Sequence, residues 1–133
     1  MPTSIVYYSG NLRTESTHIE SGENYITDAP TDNQGKGKAF SPTDLIATSL
    51  ANCMLTIIGI IAKRESLQIE GTRAEVTKIM GKNPRFISEI KIDFQFPRDY
   101  GDEQKKLLEE GALNCPVAKS LSANLIQTIN FYY

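Results

Sequence analysis

Eighteen consecutive residues, Leu45 to Ala62, carry no formal charge, and that run dictates what the rest of the chain has to cover. As a helix rising ~1.5 Å per residue it would be about 27 Å long, which touches the length of a membrane span. Thr48, Ser49, Asn52, Cys53, Thr56 and Gly59 interrupt it, however, and no Trp or Tyr marks either end. The flanking segments are amphipathic and need an apolar partner. The run therefore reads as a buried core helix, with no membrane involved. Ser41-Pro42-Thr43-Asp44 supplies its start: Ser41 as cap, Pro42 at the first helical position, Asp44 at the third, against the positive helix end. The helix should run to about Ser66. Between Leu50 and Ala62 it is apolar on nearly every side, whereas a surface helix keeps a polar stripe. Two arrangements would cover it: a homodimer that buries the helix between subunits, or a monomer whose sheet wraps around it.

Strand signals surround this helix. Ile5 to Tyr8, Leu12 to Ile19 and Tyr25 to Thr27 read as three strands, the first two separated by the turn signal Ser9-Gly10-Asn11. Gln68 to Ile79 and Phe86 to Phe96 read as a strand pair joined at Gly81-Lys82-Asn83-Pro84. Ile90, Ile92, Phe94 and Phe96 alternate with Lys91, Asp93 and Gln95, giving one apolar and one wet face. Asp102 to Leu113 should be an amphipathic helix with Leu107 and Leu108 inward. Pro116 to Leu121 begins another helical turn or two, and Ile126 to Tyr133 closes with a strand. A length of 133 residues suits one domain able to bury roughly 70% of its unfolded surface without a disulfide or metal staple. The expectation is a single α+β domain over residues 1–133.

Charge and motifs exclude several functions. The net charge is -2 with both signs interspersed, which leaves no footprint for nucleic acid. Asp28 to Ala39 is loop chemistry, and its Gly35-Lys36-Gly37-Lys38 is not a phosphate-binding loop, since Asp32 and Ala39 stand where Gly and Ser or Thr are required. His18 is alone, and a metal site needs several converging ligands. Glu109 and Glu110 are neighbours on a helix whose side chains diverge, so paired acid–base chemistry is not expected. Met1-Pro2-Thr3-Ser4 lacks the layout of a signal peptide, which makes a cytoplasmic, reducing location the expectation.

Two cysteines remain to be explained. Cys53 lies twelve residues beyond Ser41, about 18 Å along the helix, too far for the helix dipole to acidify it. Cys115 precedes Pro116 and so occupies a capping position, where a thiolate would be stabilised. From the residues alone Cys115 is the more acidic thiol. Burial of both as small hydrophobes is the competing reading.

Ser41-Pro42-Thr43-Asp44-Leu45 leading to Ala51-Asn52-Cys53-Met54-Leu55 resembles the OsmC/Ohr family of thiol peroxidases. So do Asn114-Cys115-Pro116-Val117-Ala118-Lys119-Ser120-Leu121, Gly71 to Val76, and Asn83-Pro84-Arg85. The resemblance spans nearly the whole chain in order. It implies an intertwined α+β homodimer with antiparallel sheets around buried central helices. It further implies reduction of organic hydroperoxides without metal or cofactor: Cys53 attacks the peroxide and becomes a sulfenic acid, Cys115 resolves it as a disulfide, and a dithiol reductant restores both. An apolar setting around Cys53 would favour alkyl or lipid hydroperoxides over hydrogen peroxide. Two positions differ from the family pattern. Thr43 stands where the family carries a glutamate ten positions before the attacking cysteine, and no arginine lies between Asp28 and Phe40. Asp44, nine residues before Cys53, falls on the opposite helix face and reads as a cap. The candidate cations near Cys53 are Lys36, Lys38 and Arg13, each of which could equally be a solvated surface charge. A non-enzymatic relative that binds an apolar ligand or senses redox state in the dimer cavity is the alternative.

Overall fold

Short alternating segments at the start of the chain become three strands: β1 (Ser4–Gly10), β2 (Arg13–His18) and β3 (Asn24–Asp28), antiparallel in the order β1-β2-β3. In this computed structural model, which describes residues 1–133, they belong to the first of two compact units, Met1–Leu45 and Ile46–Tyr133. The strand expected from Leu12 starts one residue later. Asn11 and Leu12 take φ of 55° and 63° and form the two-residue turn, the left-handed pair that matches the twist of a hairpin. The buried side chains of this unit are Ser16, Thr27, Asp28 and Ser41, all polar, while Ile5, Val6, Tyr7, Tyr8, Tyr25 and Ile26 are exposed. A three-stranded sheet needs an apolar face against something, and this one has none within its own unit.

Asp28 ties the unit together. Arg13 donates from Nε and Nη2 to its two carboxylate oxygens at 2.7 and 2.9 Å, and the Lys38 backbone N–H donates to Oδ2 at 3.1 Å. One carboxylate thus joins β2, β3 and the loop that follows. The loop delivers the chain to α1 (Pro42–Arg64), whose start is reciprocal: Asp44 N–H donates to Ser41 Oγ at 3.0 Å and Ser41 N–H donates to Asp44 Oδ2 at 2.9 Å. The cap expected at Ser41–Asp44 is present.

In the second unit, α1 is followed by β4 (Arg73–Gly81), β5 (Phe86–Gln95), α2 (Asp102–Leu113), α3 (Pro116–Ser120) and β6 (Ile126–Tyr132). The core helix expected from the uncharged run is found: Leu50, Met54 and Ile58 of α1 are fully buried with Ile90, Ile92 and Phe94 of β5. Cover is not complete all round, because Ile46, Asn52, Thr56 and Ile60 leave one stripe of α1 exposed. Gln68 to Thr72 is a turn and not the start of a strand. Thr72 donates from both N–H and Oγ1 to Ile69 O, and Gly71 takes a φ of 94°, which no strand residue adopts. On α2 only Leu108 of the expected inward pair is buried. Leu107 is 37% exposed, since the helical period pairs Leu108 with Ala112 on the inner face.

The α+β class is borne out, with one correction to the antiparallel sheets. β4 and β5 are antiparallel, whereas β6 pairs with β5 in parallel, Ile92 opposite Ile129. Two helices intervene between β5 and β6, and such a crossover returns the chain in its original direction. Behind the sheet, Phe94 stacks on Phe131 at 5.4 Å and Phe96 on Tyr133 at 4.6 Å, sealing the end of the core nearest Tyr100.

Candidate functional site

α1 and α2 approach closely at one point, and that approach places the thiols. Gly111 of α2 has no side chain, and a Cβ there would overlap Ile61 Cδ1 and lie 3.2 Å from Ile57 Cγ2. Ile57 is one helical turn beyond Cys53, and Cys115 is about one turn's worth of chain beyond Gly111. The chain from α2 into α3 therefore runs along α1 towards Cys53 as α1 is followed backwards. At the end of that path Cys115 lies near enough to Cys53 for the Cys53 thiol to act on its ionisation. Cys53 is half-buried and packs against the core, while Cys115 is buried within it.

The capping position read from Asn114-Cys115-Pro116 is real. Cys115 is the N-cap of α3 with extended backbone, Pro116 is the first helical residue, and Sγ accepts from the Ala118 N–H at 3.4 Å. The expected acidity does not follow. Burial pushes the Cys115 thiol up, and the adjacent Cys53 thiol adds to the rise; the Ala118 and Val117 N–H groups pull the other way and lose. A buried thiol in an apolar core resists ionisation more than one short helix end can offset. Cys115 is held protonated, so its capping position does not make it the acidic thiol expected from the sequence.

The groups proposed around Cys53 are placed as follows. Asp44 spends its carboxylate on the Ser41 cap. Arg13 gives its fork to Asp28, which raises the guanidinium and lowers the carboxyl, in each case mainly through their hydrogen bonds. Lys36 and Lys38 are exposed, and with Arg13 and Asp28 they line a polar cavity of about 390 Å³ in the first unit. His18 is exposed, its Nδ1 2.6 Å from Ser21 Oγ in a tight turn. Glu109 accepts from the Tyr133 hydroxyl at 2.7 Å, whereas Glu110 is exposed and near Lys106, so the two do not act as a pair. One residue near the site escaped sequence reading: Gln127 of β6 donates from Nε2 to the Ala118 carbonyl at 2.9 Å.

Comparison with known proteins agrees with this architecture. The chain matches the family of OsmC-like proteins over residues 35–129. It is 52% identical to an osmotic stress induced and detoxification response protein from Psychrobacter arcticus, with 99% of this chain and 96% of that one covered and a TM-score of 0.96. An organic hydroperoxide resistance protein OsmC from Legionella pneumophila shares the fold at 17% identity, with 100% and 98% covered and a TM-score of 0.73. A second organic hydroperoxide resistance protein, from Elizabethkingia anophelis and carrying bound thiocyanate, does so at 14% identity, with 99% and 96% covered and a TM-score of 0.75. No curated protein matches. With a family match over most of its length and a near-superimposable relative at half identity, this chain belongs to the OsmC-like family.

Proposed function

We propose that the chain reduces organic hydroperoxides through its two cysteines. The observation that carries this reading is the nearness of two reduced thiols, one half-buried on α1 and one buried at the α3 cap. Cys53 is the accessible member, so its thiolate attacks the terminal peroxide oxygen. The O–O bond breaks, an alkoxide leaves and takes a proton, and Cys53 becomes a sulfenic acid. Cys115 then attacks that sulfur. The S–S bond forms, the S–O bond breaks, and the hydroxyl departs with the Cys115 proton as water. A dithiol reductant returns both thiols by exchange. The raised Cys115 thiol suits this order, because a protonated, buried thiol does not compete for the peroxide. Cys53 packs against the apolar core, as does Ile57 one turn further along α1, and that setting favours alkyl over hydrogen peroxide.

The working unit is a homodimer. The first unit's sheet exposes Ile5 to Tyr8 with no apolar core of its own, and α1 leaves Ile46 and Ile60 on an exposed stripe beside Cys53. A second copy of the chain covers both kinds of surface. The two units act as one functional domain, a reading supported by the relative at 52% identity, whose match covers 99% of this chain. A reducing compartment, the cytoplasm, keeps the cycle supplied with dithiols.

The test is consumption of cumene hydroperoxide with a dithiol reductant, wild type against Cys53→Ser. Turnover lost in the variant supports the reading. Turnover unchanged by the substitution ends it, and oxidation of the thiols without turnover favours a redox-responsive, non-enzymatic protein.

A further inference from the structure

β6 presents Gln127, Ile129 and Phe131 on one face, as strand alternation requires, and Tyr133 just beyond it continues the row. Ile129, Phe131 and Tyr133 pack against the core, so Gln127 is the one polar member of an apolar row. Its place is explained by a single bond, Nε2 donating to the Ala118 carbonyl at 2.9 Å. Ala118 is buried in α3, and its own N–H donates to Cys115 Sγ. α3 has only five residues, too few to be stable alone. The Ala118 carbonyl falls among the last four of the helix, which have no partner inside it. Gln127 supplies the missing donor. Ala118 is thereby gripped on both sides, by the thiol at its N–H and by β6 at its carbonyl.

We infer that Gln127 is a positioning residue for Cys115, fixing α3 so that the buried sulfur lies opposite Cys53. The inference rests on the thiol cycle proposed above and locates its effect in one step. When Cys115 attacks the Cys53 sulfenic acid, the new S–S bond replaces the S–O bond and water leaves. That step needs Cys115 at attacking distance and in line. Gln127 touches neither sulfur and has no part in the earlier attack of Cys53 on the peroxide.

The experiment is a single turnover with one equivalent of cumene hydroperoxide, quenched at intervals and read by mass spectrometry with dimedone as trap. Wild type is compared with Gln127→Leu, which lacks the donor, and with Gln127→Glu, which keeps the shape while its carboxylate cannot donate. Both variants should form the Cys53 sulfenic acid within about twofold of the wild-type rate. Both should close the disulfide roughly tenfold more slowly, the scale of one lost hydrogen bond to a buried carbonyl, and more dimedone adduct should accumulate. Disulfide closure at the wild-type rate overturns the inference, as does equal slowing of both steps, which marks a general folding role. Amide exchange at Ala118 in the reduced proteins gives a readout independent of peroxide. Faster exchange in both variants is expected, and unchanged exchange refutes the grip. If wild type forms no sulfenic acid, the proposed function fails by itself, and the exchange result still decides Gln127.

Discussion

Gly111→Ala tests the close approach of α1 and α2 that places the thiols. On an ordinary helix position the exchange of Gly for Ala gains about 1 kcal/mol of helix propensity. Here the new methyl would overlap Ile61 Cδ1 and sit 3.2 Å from Ile57 Cγ2. The Ile61 atom is the far end of a flexible side chain and can turn aside. The Ile57 methyl is attached at Cβ, and a β-branched residue in a helix holds one χ1 rotamer, so it moves only with α1. Overpacking of this kind costs about 1–3 kcal/mol. The net expectation is a loss of about 1 kcal/mol where the default is a gain of similar size. Urea unfolding of the reduced protein reads the difference. Gly111→Val extends the series, with a larger loss and slower formation of the Cys53–Cys115 disulfide as the helices part. A stabilised Gly111→Ala would refute the argument, and so would a Gly111→Val that closes the disulfide at the wild-type rate.

Two further outcomes follow from named contacts. The Arg13 fork holds the Asp28 carboxyl below its ordinary range, so the pair contributes its stability above about pH 4 and loses it as pH falls through the lowered value. Asp28→Asn should be less stable than wild type at neutral pH and should flatten the acid limb of an unfolding curve; an unaltered acid limb counts against the pair. Ile60, 59% exposed on α1, should be covered by the second copy. Ile60→Glu is expected to shift light-scattering mass from dimer to monomer, and an unchanged mass would put the interface elsewhere.

Sequence reading succeeded where the physics is local. Ser41 and Asp44 cap α1 as their spacing requires, and Cys115 caps α3 because Pro116 fixes the first helical residue. It failed where distant chain decides. The cap promised an acidic Cys115, yet burial under a core assembled from α1, β5 and α2 outweighs the Ala118 and Val117 N–H groups. β6 alternates like any strand, and alternation does not record the direction of a neighbour; the two helices before it were the available signal for a parallel pairing. Gln127 passed unnoticed because a polar residue in a strand ordinarily faces water. The exposed stripe on α1 is also a matter of tertiary cover, since it mixes the polar Asn52 and Thr56 with Ile46 and Ile60, which read locally as core residues.

In the proposed cycle Cys53 and Cys115 form a working pair within one chain. Treating the reduced protein with one equivalent of cumene hydroperoxide and mapping the product by non-reducing peptide mass spectrometry tests it most directly. The expected product is a single intrachain disulfide linking the peptides that contain Cys53 and Cys115, with Cys115→Ser stopping at the Cys53 sulfenic acid. Two free thiols after peroxide, or oxidation confined to Cys115, would contradict it.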